Sequence, residues 1–109
     1  MEAIPKKVEF YVAANGKAPL LDWLEALKDI KARAHIRKRL RRAELGNLGE
    51  HDPVGQGVYE MKIHFGPGYR VYFGMDGQQF VLLLCGGDKS SQSKDIKLAH
   101  EYWEDWRKS

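Results

Sequence analysis

The chain has 109 residues, 43% of them hydrophobic and 30% charged, with three Trp and a formal net charge of +3. That length and apolar content suit a single compact domain over residues 1–109 and exclude a disordered chain. A lone cysteine, Cys85, excludes an internal disulfide and has no neighbours at metal-ligand spacing.

No apolar run approaches the length of a membrane span, and the start of the chain lacks the apolar block of a signal peptide. The expectation is a cytoplasmic protein with no membrane contact. Val8, Phe10 and Val12 alternate with Glu9 and Tyr11, which predicts a first strand, and Asn15-Gly16 follows as a turn. The strand's partner is not readable from the pattern. Pro19 suits the first turn of a helix, and Leu20, Trp23, Leu24 and Leu27 then recur at helical spacing. Asp29 predicts the N-cap of a second helix, with a narrow apolar stripe through Ile36, Leu40 and Ala43 and a stop at Gly46.

Between Ile30 and Arg42 stand seven Lys or Arg and no acid. Such a surface is either a solvated helix face or a rail for nucleic-acid phosphates, to which Arg37 and Arg41 would contribute. Leu48 to Gln56 is punctuated by Gly and Pro and reads as a loop.

The most informative stretch runs from Gly57 to Lys94. From Val58 to Phe65, Tyr59, Met61, Ile63 and Phe65 alternate with Glu60, Lys62 and His64, the period of a half-buried strand. Gly66, Pro67 and Gly68 then predict a turn into a strand carrying Arg70, Val71, Tyr72, Phe73 and Met75. With those three residues as the loop, His64 would face Arg70 and Lys62 would face Tyr72. Asp76-Gly77 predicts a two-residue hairpin that would pair Phe73 with Phe80. Phe80 to Cys85 is apolar throughout, as an inner strand covered on both faces would be. The loop after it, Gly86 to Ser91, would return to the corner that holds His64 and Arg70. A last helix is expected from Ser90, Ser91 or Ser93, with a stripe of Ile96, Ala99, Trp103 and Trp106.

These elements give an α+β domain, a mainly antiparallel four-stranded sheet in the order β-α-α-β-β-β-α, with two N-terminal helices packed on it and a C-terminal helix. They converge on Lys62, His64, Arg70, Tyr72 and Lys89. Arg70 can grip two phosphate oxygens while remaining charged. His64 is the natural proton carrier, while Lys62 and Glu60 are rival bases and Lys62 equally a phosphate contact. Tyr72 could stack on a base or donate to a phosphate, and Lys89 reads as a mobile phosphate ligand.

The segments Val58-Tyr59-Glu60-Met61-Lys62, Gly68-Tyr69-Arg70-Val71-Tyr72 and Leu84-Cys85-Gly86-Gly87-Asp88-Lys89-Ser90-Ser91-Gln92 resemble the RelE/ParE superfamily of bacterial toxins, most closely its HigB-like "addiction module killer" branch. The resemblance spans nearly the whole chain. It implies a toxin of a type II toxin–antitoxin module, an endoribonuclease that cleaves messenger RNA on the ribosome without metal or other cofactor. It further implies neutralisation by a cognate antitoxin, a helix-turn-helix protein through which alone operator DNA would be met. By position, Arg70 matches the family's strand arginine, Lys62 the second lysine of its Tyr-Lys-x-Lys strand, and Lys89 stands near its loop arginine. Glu60 replaces the first of those lysines. Tyr69 and Lys94 complete the expected RNA contacts. A ParE-like inhibitor of DNA gyrase and a phage-derived binding module without catalysis are the other readings left open.

Overall fold

A computed structural model describes residues 4–109. Its element order is β1 (Lys7–Phe10), α1 (Pro19–Ala26), α2 (Ile30–Glu44), β2 (His51–Pro53), β3 (Val58–Ile63), β4 (Tyr69–Asp76), β5 (Phe80–Asp88), a 3-10 turn (Lys89–Ser91) and α3 (Gln92–Lys108). The sheet has five strands in the order β1-β5-β4-β3-β2, with β1 parallel to β5 and the other pairs antiparallel. The expected mainly antiparallel four-stranded sheet is corrected in its strand count. His51–Pro53 forms a fifth, edge strand where a loop was expected, and the first strand joins the far edge in parallel. β2 was hidden because three residues are too few to show an alternation and Pro53 reads as a breaker; at an edge, proline costs no ladder hydrogen bond.

Two helix starts follow from local chemistry. Pro19 opens α1 without any side-chain cap, and the Asp29 side chain accepts the Ala32 N–H at 3.1 Å to open α2. Gly46, at φ +98°, ends α2: its N–H donates to Ala43 O and the Asn47 N–H to Arg42 O, the paired bonds of a Schellman cap.

The sheet is covered on both faces. Leu20 and Leu24 of α1 and Ala32, Ile36, Leu40 and Ala43 of α2 pack with Met61, Ile63, Val71, Phe73, Val81 and Leu83. On the other face Ala99 and Trp103 of α3 pack with Val58, Tyr72, Leu82, Leu84 and Cys85. The α3 stripe therefore meets the sheet. Burial pushes the Cys85 thiol up to about 12, so it is an inert core group. The β1 alternation is reversed at its end: Tyr11 is buried, with its hydroxyl 2.5 Å from Asp105 Oδ2, whereas Phe10 and Val12 are exposed.

Both hairpin registers differ from expectation. β3 and β4 pair Lys62 with Arg70 and Glu60 with Tyr72, two residues away from the expected register. A two-residue slip leaves every side chain on its face, so the alternation that excludes a one-residue slip is blind to it. The turn lies within Phe65–Gly68, closed by Gly68 N–H on Phe65 O at 3.1 Å, and His64 falls just beyond β3. β4 and β5 pair Asp76 with Phe80, leaving Gly77, Gln78 and Gln79 as the loop, and the register shifts again between Tyr72 and Phe73. Because Phe80 to Cys85 is apolar at every position, nothing in its pattern marks the register.

At Gly74 α3 lies tight against the sheet: a Cβ there would occupy the Trp103 ring. Gly74→Ala should destabilise the fold by about 1–3 kcal/mol through overpacking, measured by urea unfolding.

Candidate functional site

Lys62, His64, Arg70 and Lys89 line one cleft of about 430 Å³, together with the turn from Phe65 to Gly68 and Tyr69. Each reaches it by a different route. Lys62 and Arg70 are cross-strand partners near the turn end of the β3–β4 ladder. His64 begins the loop, and Lys89 follows β5, whose end Asp88 pairs with Tyr69. Asp88 shapes that last turn by accepting from the Ser90 N–H at 2.8 Å, and the Ser90 hydrogen bonds hold its carboxyl below the usual range.

Three of the four basic groups face carboxylates. Lys62 Nζ lies 3.2 Å from Asp52 Oδ2, and His64 Nε2 lies 2.8 Å from Glu50 Oε2. Against a carboxylate, Nε2 is the imidazole's donor, which leaves Nδ1 as its acceptor. Arg70 Nε stands 3.4 Å from Glu60 Oε2, and its Nη1 donates to Gly68 O at 3.0 Å. Nη2 makes no hydrogen bond among the described residues. Lys89 is exposed and has no ion-pair partner among them.

Glu60 does not open onto the cleft. Only 2% exposed, its Oε2 accepts from the Tyr72 hydroxyl at 3.0 Å and from Gln92 Nε2 at 2.8 Å while compensating Arg70. Its place as a candidate base is corrected accordingly: a carboxylate enclosed by two hydrogen-bond donors and a guanidinium cannot reach a substrate hydroxyl and instead anchors the arginine. Tyr72 is likewise corrected as an RNA contact. It is wholly buried under α3, and burial, then the Glu60 carboxylate, pushes its hydroxyl far up, so it remains a donor to Glu60. The polar face of β3 and β4, expected to meet solvent, is covered by the start of α3.

Tyr69 is buried with its ring edge-on to Trp23, although it borders the cleft. Lys94 is exposed on the first turn of α3, and Arg37 and Arg41 are exposed on α2. Arg39, between them in sequence, is structural: it donates to Lys62 O at 2.6 Å and to Leu48 O and Glu50 O at 3.3 Å, which fixes the approach to β2.

Glu50 and Asp52 were invisible in the sequence as parts of this site, since only the β2–β3 pairing carries them there. Among the described residues no group of three His, Cys, Asp or Glu converges as metal ligands would. A larger cleft of about 610 Å³ lies at the other end of the sheet, but its Trp106 is stacked on both Phe80 and Trp103 and leaves no free ring face.

Asp95 of α3, outside the cleft lining, buttresses the end of β5: its carboxylate accepts from Ser91 Oγ at 2.5 Å and packs so closely on Gly87 that no Cβ would fit. Burial raises its pKa, so the folded state holds this proton more tightly than the unfolded chain does. The stabilising contribution is therefore present below the ordinary carboxylate range and is lost as pH rises. Asp95→Asn should remove that loss, so its stability relative to the parent should rise from acid to neutral pH in thermal unfolding. Separately, Glu60→Gln should cost about 3 kcal/mol in urea unfolding by leaving the nearly buried Arg70 guanidinium uncompensated.

The model of the family described as "Phage derived protein Gp49-like (DUF891)" matches residues 22–104, which include the four basic residues of the cleft. A Haemophilus influenzae protein described only as uncharacterized is 48% identical over 77 residues, 71% of this chain and 78% of its own length. By this match over most of its length, the chain belongs to the phage-derived Gp49-like family.

Proposed function

We propose that the protein is the toxin of a type II toxin–antitoxin module, an endoribonuclease that cuts messenger RNA on the ribosome until its antitoxin neutralises it. The observation that carries this reading is the gathering of one imidazole, one guanidinium and two ammonium groups around a single cleft. The kinship with RelE-like addiction module killers, read from the strand and loop motifs, supports it.

Cleavage by attack of a 2′-hydroxyl needs a proton acceptor, cations around the phosphorane and a donor for the departing 5′-oxygen. His64 takes the first role: Glu50 engages Nε2 and leaves Nδ1 to receive the hydroxyl proton. Acid–base assistance of that kind is worth roughly a hundred- to ten-thousandfold in rate. Arg70, held by Glu60 and Gly68 O, presents its remaining N–H groups to the phosphate oxygens. Lys62 and Lys89 add charge from the two other edges. The same imidazole, once protonated, can return its proton to the leaving oxygen. Lys62 acts as a phosphate contact rather than the base, its ammonium lying 3.2 Å from Asp52 Oδ2 at the cleft edge.

Arg70→Ala should abolish growth arrest while leaving antitoxin binding intact. Mapping the 5′ ends of cellular messages after expression should show cuts inside translated codons. Intact messages with failing DNA supercoiling would instead support gyrase inhibition. His64→Ala should slow cleavage at least a hundredfold in a single-turnover assay with programmed ribosomes, with little change in binding.

A further inference from the structure

We propose that the flank of α2 carrying Lys31, His35, Lys38 and Arg42 is a track on which the sugar–phosphate backbone of RNA continues out of the cleft. The identity of the polyanion rests on the ribonuclease reading. Helix α2 buries Ala32, Ile36, Leu40 and Ala43, which divides its remaining surface into two flanks. The i, i+4, i+7, i+11 spacing sets the four named residues in a stripe on one flank, whereas Arg33, Arg37 and Arg41 follow the other, so Arg37 and Arg41, expected from the sequence as RNA contacts, fall outside the proposed track.

Contacts decide which flank adjoins the cleft. The His35 ring stacks on Phe65, a lining residue, with centroids 4.2 Å apart. Arg39, beside the same stripe, donates to the backbone carbonyl of Lys62. Arg42 lies near enough to Arg39 that, after burial, its charge is the next cause lowering the Arg39 pKa.

All four stripe residues are exposed, and none has an ion-pair partner among the described residues. Lys62, His64 and Arg70 in the cleft have carboxylate partners, whereas Lys89 and the basic residues of both α2 flanks have none among the described residues, so contact with the cleft is what singles out this flank. From Lys31 to Arg42 the stripe runs about 16 Å at 1.5 Å per residue, enough for several phosphates of a single strand. Continuity with a cleft edged by Lys62 and Lys89 favours a nucleic-acid strand over an acidic peptide.

The test compares two triple variants that remove the same charge from the two flanks: Lys31→Gln, Lys38→Gln, Arg42→Gln against Arg33→Gln, Arg37→Gln, Arg41→Gln. The probe is a fluorescent single-stranded 2′-O-methyl RNA, which has no hydroxyl for attack, titrated by anisotropy over a range of salt. The first triple should weaken binding at least tenfold at about 0.1 M salt and flatten the log–log salt slope by about two, while the second should stay within about twofold of the parent. Equal losses in both triples, or a loss only in the second, would overturn the track. So would unchanged RNA binding by the first triple with loss of binding to a polyglutamate peptide, which would make the stripe a protein dock. A parent that binds RNA through this flank yet leaves messages uncut would remove the nuclease reading and keep the track.

Discussion

One enclosed carboxylate governs the rest of the structure. Burying an ionised carboxylate costs several kcal/mol unless donors and a counter-charge replace water. Glu60 meets that cost with a hydroxyl from β4, an amide from the first turn of α3 and the Arg70 guanidinium. Those partners come from β4 and from α3, so satisfying Glu60 fixes where α3 begins on the sheet and how Arg70 lies. The arginine is only 13% exposed in its side chain and is held at one end by the carboxylate and at the other by Gly68 O. Its orientation toward the cleft is thus a property of the core.

The outer carboxylates behave differently. The Glu50–His64 pair is solvent-exposed and the Lys62–Asp52 pair partly so, and ion pairs of that kind contribute about 1 kcal/mol or less. An incoming phosphate can take their place on Lys62 at little cost, whereas it cannot displace Glu60 from beneath Arg70. The cleft therefore combines one fixed cation with basic groups free to adjust. Such a division suits a site that must hold a phosphate rigidly while letting an imidazole exchange protons.

Much of this was legible in the sequence for physical reasons that can be named. Helix α2 announced itself through Asp29 and Gly46, since capping is a local event. The convergence of Lys62, His64, Arg70 and Lys89 followed from strand parity and connection length, neither of which needs the exact register. What escaped was non-local. The pairing of β2 brings Glu50 and Asp52 to the cleft, and no residue near them signals it. The burial of Glu60 and Tyr72 depends on α3 folding over the face that alternation alone assigns to solvent. Registers failed where the pattern is degenerate: a slip of two preserves parity between β3 and β4, and β5 has no polar position from Phe80 to Cys85 to report its phase.

The most direct measurement is single-turnover cleavage of messenger RNA on programmed ribosomes by Arg70→Lys, compared with the parent. A lysine keeps the charge but loses the planar fork that Glu60 and Gly68 O orient. The expected result is a fall of about a hundredfold or more in the cleavage rate with ribosome affinity unchanged. An Arg70→Lys protein that cuts as fast as the parent would contradict the role assigned to the oriented guanidinium.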